Sequence, residues 1–466
     1  MVVDRVADAL LRGVEGVADK VSGALFEPTI RLGVTGLSRA GKTVFITSLV
    51  ANLIERGRMP GLTPQIEAAF LQPQPNDTVA RFDYEAHLAA LTGATPHWPE
   101  GTRAVSELRL SLKVRPGGLL SGLQGPRTVH LDIVDYPGEW VLDLALLDLD
   151  YAAWSRRTMA RLTAWGATET LTALRDVDSA LPHAEPTAQK LAQTYTAALQ
   201  AARAQGAHDC TPGRFLLPGD LAGSPALTFV PLDAPSTARG SLGREMARRY
   251  EAYKARVVQP FFRDHFAQLD RQIILIDVLG ALHAGPRAVD ELRGAMADLL
   301  GAFKPGRNAF LSRLLMRRRV DRVLFAATKA DHLHHAQHAQ LTALTSALVQ
   351  EARARVDFSG AKTHAMSIAA LRTTSEEMRT HAGHELGVVR GRLQETGKVA
   401  ALYPGLLPDN PDLLLNPARN GARTWLDAEY NVMRFQPAPN SLRPGAGPPH
   451  IRMDRAAEFL LADRLR

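Results

Sequence analysis

The sequence of 466 residues contains one cysteine, Cys210, and no long uninterrupted hydrophobic run. A single thiol cannot form a disulfide framework or a thiolate metal cage, so a disulfide-stabilised secreted domain is excluded and a reducing compartment is indicated. The best apolar stretch, residues 273–282, is short and is interrupted by Asp277, whereas a membrane-spanning helix needs roughly 18 apolar residues. We therefore expect a chain that does not span a bilayer.

A strong excess of charge of one sign is absent as well. There are 55 Lys and Arg residues against 48 Asp and Glu, which gives a net charge of +7. For a chain of this length, the excess is compatible with an anionic ligand or an acidic membrane surface and does not indicate nucleic acid as a partner. Hydrophobic residues make up 45% of the chain, which is enough to bury a core and excludes disordered and collagen-like classes.

The first 27 residues show the pattern of an amphipathic helix. Their acidic residues, among them Asp4 and Asp8, stand where an export signal would be basic, so we do not expect an export signal. The helix has two open interpretations: it packs on the protein's own core, or it contacts a partner or a membrane surface. The apolar positions with helical spacing are Val3, Val6, Leu10, Val14, Val17, Val21 and Leu25.

Short apolar runs alternate with helical patterns along most of the remaining chain. This alternation predicts a three-layer α/β fold with a mostly parallel sheet, because consecutive parallel strands need helical crossovers. A turn-rich segment separates the second and third strands, which predicts one antiparallel hairpin. The six predicted strands are residues 30–34, 105–114, 128–134, 272–277, 320–328 and 362–367.

Two stretches are longer than a simple connection between strands. The larger one, from Asp135 to Asp277, carries helical apolar stripes and predicts an inserted helical subdomain. The Pro, Gln and Asn residues of segment 59–99 predict an irregular excursion, while YNVMRF at 430–435 has the pattern of a strand. The predicted units are an N-terminal helix (1–27), a core (28–140 and 269–375), a helical insertion (141–268) and a C-terminal extension (376–466).

The segment GLSRAGKT, from Gly36 to Thr43, fits the phosphate-binding pattern G-x-x-x-x-G-K-[ST] between a predicted strand and a predicted helix. The glycines let backbone N–H groups converge on phosphate oxygens, Lys42 carries positive charge to the β- and γ-phosphates, and Thr43 offers a hydroxyl to Mg²⁺. The alternative is a glycine turn with an exposed lysine. The nucleotide contacts assigned to this segment are Gly36, Ser38, Arg39, Ala40, Gly41, Lys42, Thr43 and Val44.

Two further motifs lie at predicted strand ends. Asp135 and Gly138 in DYPG form a D-x-x-G arrangement, in which the carboxylate holds a magnesium-bound water and the glycine amide donates to a γ-phosphate; the alternative is a β-turn. Thr328, Lys329 and Asp331 in TKAD place a carboxylate where it can accept two hydrogen bonds that guanine offers and adenine lacks; the alternative is a helix cap. Together these motifs predict a site for GTP or GDP with Mg²⁺.

These residues resemble the bacterial YcjX-like family of P-loop NTPases. The resemblance rests on GLSRAGKT, DYPGEW, TKAD, PGRFLLPGDLAGSPAL and the closing IRMDRAAEFLLADRL, and it covers nearly the whole chain. It implies a Ras-like GTPase core with a helical insertion that binds GTP and GDP and turns over slowly. It also implies a cytoplasmic protein that is linked to stress responses and has a protein partner in the inner membrane.

Ras-like roles that the resemblance carries over add further candidates. Thr102 corresponds to the switch threonine that contacts Mg²⁺, with a helix cap or a loop hydroxyl as the alternative, and Ser367 and Ile368 lie where a loop backbone contacts the guanine oxygen. Glu139 stands in place of a water-orienting glutamine, so it is either catalytic or a helix-capping or ion-pairing residue. Thr328 stands in place of the more common asparagine, which loosens the case for guanine.

Two arginines are candidates for an arginine finger, which stabilises charge on a transferred phosphoryl group. Arg39 lies in the phosphate loop and Arg214 at the edge of the insertion, where the alternative is a structural ion pair. The four histidines within 332–338 lack an accompanying cysteine and favour a solvated helix start over a metal site. The predicted catalytic set is Lys42, Thr102, Glu139 and Arg214, and the predicted magnesium ligands are Thr43, Thr102 and Asp135.

Overall fold

The computed structural model describes residues 27–37, 40–101, 104–115, 126–207, 209–301, 320–350, 353–354, 360–425, 429–439 and 441–465. The predicted N-terminal helix, apart from Glu27, lies outside these residues, as do Ser38, Arg39 and Thr102. In the described part of the chain, no helix is both long enough and apolar enough to cross a membrane.

The main sheet contains eight strands: β1 (Thr29–Gly36), β2 (Ile66–Gln72), β3 (Ala80–Arg81), β4 (Ser106–Val114), β5 (Arg127–Asp135), β6 (Arg271–Ile276), β7 (Arg322–Ala327) and β8 (Lys362–Ser367). Their order is β2-β4-β5-β1-β6-β7-β8, with β3 beside β4. β5, β1, β6, β7 and β8 run parallel, whereas β4 pairs antiparallel with β2 and β5. The predicted α/β class, the mostly parallel sheet and the antiparallel hairpin are confirmed.

The predicted number of strands was wrong, because segment 59–99 is not irregular throughout. It contributes β2 and β3, so the main sheet has eight strands rather than six. β2 lies at the edge of the sheet, and most of its side chains are only partly buried. Only Ile66 of β2 is buried and Phe70 is exposed, so burial does not follow the alternation of a strand with one covered face, which explains the weak strand pattern of this segment.

A second, antiparallel sheet follows β8 and was not expected from the sequence. Its strands are β9 (Ser375–His381), β10 (His384–Arg392) and β11 (Val399–Leu402), with β10 in the middle. The strand predicted at 430–435 was wrong: Phe435 forms one isolated bridge with Leu393, and its ring is buried against Val389 and Leu402. Met433 and Phe435 thus pack on the second sheet, whereas Tyr430 and Val432 join the main core.

Helices surround the main sheet. The helices within residues 138–264 all lie between β5 and β6, which agrees with the inserted helical part of the predicted fold. The helices are α1 (Lys42–Glu55), α2 (Tyr84–Thr92), α3 (Gly138–Leu142), α4 (Tyr151–Ala164), α5 (Thr168–Arg175), α6 (Glu185–Ala204), α7 (Gly213–Leu216), α8 (Leu242–Tyr253), α9 (Gln259–Asp264), α10 (Val278–Ala284), α11 (Pro286–Gly301), α12 (His338–Leu348), α13 (Asp412–Arg419) and α14 (Met453–Leu461).

Two hydrophobic clusters cover the two faces of the sheet. Alternate residues of β6 divide between them, because successive side chains of a strand point to opposite faces: Ile273 and Leu275 pack with α1 and α14, whereas Ile274 and Ile276 join the other cluster. Trp154 of the inserted helices belongs to this second cluster. The inserted helices therefore share a continuous core with the sheet.

Candidate functional site

The carboxyl ends of β5, β1, β6, β7 and β8 lie side by side at one edge of the main sheet. Ligands of open α/β sheets bind at this kind of edge. The strand register places Val34 opposite Asp135, and Ala327 opposite Ser367. The described residues of all the sequence motifs therefore come together along one edge of the molecule.

The phosphate-loop motif forms a strand, a loop and a helix. β1 ends at Gly36 and α1 begins at Lys42, after Gly41 with a φ of 83° in the left-handed region that favours glycine. Lys42 is 8% exposed, and its Nζ donates a hydrogen bond to the carbonyl oxygen of Gly36 over 2.8 Å. The lysine thus turns back across the loop and is buried, unlike the exposed lysine of the glycine-turn alternative.

The D-x-x-G segment contacts the phosphate loop directly. Gly138 begins α3, and a Cβ atom added to it would overlap the carbonyl oxygen of Gly36 and crowd the amide of Leu37. A side chain at position 138 would therefore push the two segments apart, so glycine is required here for steric reasons.

The oxygen atoms available near this contact suit a hard cation. Thr43, in the first turn of α1, and Asp135, at the end of β5, are both buried and offer a hydroxyl and a carboxylate. These are ligand types that Mg²⁺ prefers. The residues present therefore fit the predicted magnesium ion, although the third predicted ligand, Thr102, lies outside the described residues.

The TKAD segment follows β7 and is fixed by its neighbours. The backbone N–H of Thr328 donates to Ile276 of β6 over 2.9 Å, and Lys329 has a φ of 62°. The Lys329 ammonium forms an ion pair with Asp277, whose side chain also caps α10 by accepting from Gly280 over 3.0 Å. Asp277 thus holds the lysine that the sequence assigns to the base.

Asp331 is 4% exposed and is held by the loop after β8. Its Oδ2 accepts hydrogen bonds from the backbone N–H of Thr373 over 2.9 Å and from the Thr373 hydroxyl over 2.7 Å. The N–H of Ala330 donates to Ile368 over 3.0 Å, and Ile368 donates to Ala327 over 2.7 Å. The structure therefore joins the two loops predicted to contact the base, including Ser367 at the end of β8.

Glu139 lies in α3 and Arg214 in α7, and both side chains take part in contacts between α3 and the inserted helices. The carboxylate of Glu139 accepts a hydrogen bond from Arg203 of α6 over 2.8 Å, which is the ion-pairing alternative for this residue. The Arg214 guanidinium lies 3.3 Å from the ring centroid of Trp140 and pairs with Asp220 over 3.0 Å. Arg214 would have to leave these contacts to act as an arginine finger.

The expectation of a solvated histidine cluster was wrong for three of the four residues. His332, His334 and His338 are buried, and burial lowers the pKa of His332 and His338 below their usual value. The unexpected second sheet explains this: Gly387 of β10 lies against the ring of His334, and Phe435 packs edge-on against His332. These three histidines are therefore buried next to the TKAD segment.

His335 is exposed and meets a carboxylate. With His334 and Glu376 of β9 it forms a group of three possible metal ligands in the described part of the chain. All three side chains already have hydrogen-bond partners. Glu376 accepts from His335 and Arg372, and His334 accepts from the Ala336 N–H. Hydrogen bonds thus account for the contacts within this group.

Three residues that the structure places at this edge were not predicted from the sequence as part of the site: Asp277, Arg203 and Thr373. Asp277 carried a usable signal, because it ends a predicted parallel strand and such ends converge on one edge. Arg203 and Thr373 reach their partners Glu139 and Asp331 across 64 and 42 positions of chain, and no local pattern marks them.

Asp143, the residue after α3, is hydrogen-bonded to the inserted helices, and its carboxyl group gives a testable pH dependence of stability. It is 2% exposed and accepts hydrogen bonds from the Gly213 N–H over 2.7 Å and from the Tyr253 hydroxyl over 2.5 Å. Burial raises the pKa of its carboxyl group from 3.8 to about 7. Between these two pKa values the native state holds a proton that the unfolded state releases, so this group's stabilisation is complete below about pH 4 and is lost progressively as the pH rises to about 7.

Replacement Asp143→Asn should remove this dependence, because an amide does not ionise. Relative to the unmodified protein, the variant's free energy of unfolding is expected to rise between about pH 4 and pH 7 and to level off above that. Urea unfolding at several pH values measures the difference. A difference that is constant with pH would show that the native state does not raise the pKa of this carboxyl group.

The phosphate loop between β1 and α1, the D-x-x-G contact and the TKAD segment at the carboxyl edge define a Ras-like P-loop fold with insertions. Residues 30–465 match the model of the YcjX-like family, DUF463, and the chain belongs to this family. It is similar to a protein of Escherichia coli strain K12 named Ras-like GTPase YcjX, at 35% identity over 458 residues, which is 94% of this chain and 96% of that protein. A Shewanella oneidensis protein of the same name is 34% identical over 94% of both chains.

Proposed function

We propose that this protein binds GTP and GDP with Mg²⁺ and acts as a slowly hydrolysing molecular switch. The observation that carries the proposal is the meeting of the phosphate loop, the D-x-x-G segment and the TKAD segment at one sheet edge. The names of the two relatives, Ras-like GTPase, support the same activity. Each segment then has a separate task.

The phosphates would lie over the amino end of α1. Lys42 would exchange its hydrogen bond with Gly36 for the β- and γ-phosphates, and the N–H groups of Gly41 to Val44 point toward anions at a helix start. Thr43, Asp135 and Thr102 would hold Mg²⁺, which offsets phosphate charge. The backbone of Gly138, already against the loop, would then donate to the γ-phosphate.

The base would lie between the TKAD loop and the loop after β8. The carboxylate of Asp331 would accept two hydrogen bonds from guanine, while the stem of Lys329 covers the ring. Ile368 donates to Ala327 at the end of β7 and accepts from Ala330 of the TKAD segment, so its backbone would lie beside the base. This arrangement favours guanine over adenine, and hence a GTPase over the alternative of an ATPase.

The switch would act through α3. Gly138 contacts the phosphate loop, and the following residues of α3 contact the inserted helices. Loss of the γ-phosphate would therefore move α3 and change the position of the insertion at 141–268. The core at 28–140 and 269–375 would carry the nucleotide, with the extension 376–466 closing behind the base loops. From the family resemblance alone, we extend the proposal to a protein partner at the inner membrane, peripheral membrane contact and a role in stress.

A nucleotide-holding scaffold with little hydrolysis is the second candidate. The ion pair of Glu139 with Arg203 favours it, because a carboxylate engaged in this way does not orient an attacking water. The two candidates share the nucleotide site and differ in whether phosphate is released and whether the conformation follows the nucleotide.

The release of phosphate from GTP in single-turnover assays separates these candidates. We expect slow release from GTP, less from ATP, and a protease digestion pattern that differs between GDP and a non-hydrolysable GTP analogue. Glu139→Ala should alter the release rate or that pattern, while Glu169→Ala, an exposed glutamate of α5, serves as the control. If Glu139→Ala leaves both readouts unchanged, the switch mechanism is wrong and the scaffold remains.

A further inference from the structure

An ion pair between a buried carboxylate and a partly exposed arginine connects the D-x-x-G segment to the inserted helices. Glu139, directly after Gly138, has a side chain that is 7% exposed, and its Oε1 accepts from the Arg203 guanidinium over 2.8 Å. Arg203 lies in the last turn of α6. The carboxylate thus belongs to the segment that would follow the γ-phosphate, whereas its cation comes from the insertion.

The surroundings leave Glu139 little freedom to turn away from this cation. A Cβ atom on Gly213 would overlap the backbone of Glu139, so the two backbones are in direct contact. Next to it, the Trp140 ring lies under Arg214, and its Nε1 donates to Leu217 over 3.1 Å. Backbone and side-chain contacts therefore hold α3 against the insertion on both sides of the ion pair.

The charge of Glu139 matters for a triphosphate more than for a diphosphate. When Gly138 approaches a γ-phosphate, the neighbouring carboxylate comes close to additional negative charge, and the two repel each other in a site with little water. Paired with Arg203, the carboxylate is neutralised and the repulsion is offset. GDP lacks the γ-phosphate and does not meet this charge.

We propose that Arg203 is a positioning residue that neutralises Glu139 beside the γ-phosphate, so that docking of the insertion is a requirement for preferring GTP over GDP. This inference rests on the proposed nucleotide site and adds to it the group that sets its response to the third phosphate. It also assigns the insertion a direct electrostatic role in the nucleotide state.

The test compares the affinities for GDP and for a non-hydrolysable GTP analogue, measured by calorimetry with Mg²⁺. Arg203→Ala should lower the ratio of GTP-analogue to GDP affinity by about tenfold or more, because a buried charge loses its partner. Arg203→Lys should retain part of the ratio. The double variant Glu139→Gln with Arg203→Ala should restore it, since the amide carries no charge to repel the phosphate.

Arg175→Ala is the matched control. Arg175 also lies in the insertion and pairs with Asp233, but both side chains are about half exposed, so its loss should leave the ratio unchanged. A merely structural role of Arg203 would lower both affinities together, and Glu139→Gln would not restore them. Either that result or an unchanged affinity ratio in Arg203→Ala overturns the inference. If the unmodified protein binds neither nucleotide, the proposed function itself is wrong.

Discussion

Lys42→Ala is expected to lower the affinity for both GTP and GDP by about 100-fold or more. The buried ammonium group would form charge-assisted hydrogen bonds with phosphate oxygens, and loss of such a contact costs roughly 2–5 kcal/mol. In the structure the same group donates to the carbonyl oxygen of Gly36. Removal of one such hydrogen bond costs about 1 kcal/mol of stability, so the variant should still fold.

The displacement of a fluorescent GDP analogue measures this effect directly. Lys190→Ala is the control, since Lys190 is an exposed lysine of α6, far along the chain from the phosphate loop. Unfolding of the Lys42→Ala variant in urea should show a cooperative transition close to that of the unmodified protein. Equal affinity of Lys42→Ala and Lys190→Ala for GDP would mean that the loop does not bind phosphates.

Asp331→Asn is expected to reverse the base preference. The Oδ2 atom of Asp331 accepts from both donors of Thr373, so in the variant the amide oxygen should take this position and the amide NH₂ should face the base. A donor facing the N1–H and amino group of guanine loses two hydrogen bonds, which predicts about a 100-fold loss of GTP affinity. Xanthine presents a carbonyl oxygen in place of the amino group and accepts from the new amide.

The measurement is the ratio of xanthosine to guanosine triphosphate affinity in the unmodified protein and in the variant. Asp409→Asn, in a turn of the C-terminal part, is a control for the same chemical change at a site away from the base loops. An unchanged ratio would show that Asp331 does not face the base, and the guanine assignment would fall with it.

The phosphate-loop motif could be recognised in the sequence because its requirements are local. A glycine-lined loop, a lysine and a hydroxyl between a strand and a helix occupy eight consecutive positions, and the structure forms that arrangement around Lys42. The alternation of apolar runs likewise predicted the parallel strands, since buried strands must be apolar along their whole length. Local rules therefore located the sheet edge and the motifs on it.

What the sequence could not show depends on contacts between distant segments. β2 is half exposed at the sheet edge, so its pattern is weak, and the burial of His334 depends on Gly387 of a sheet that had no clear signal. The partner of Glu139 lies 64 residues away on a helix whose sequence pattern marks only its buried stripe. Electrostatic pairing of this kind becomes visible only when the fold is known.

Calorimetric titration of the unmodified protein with GTP, GDP and ATP in the presence of Mg²⁺ measures whether the chain is a guanine-nucleotide binder. We expect one molecule of GTP or GDP bound per chain and clearly weaker binding of ATP. Binding of none of these nucleotides, or equal affinity for ATP and GTP, would contradict this expectation.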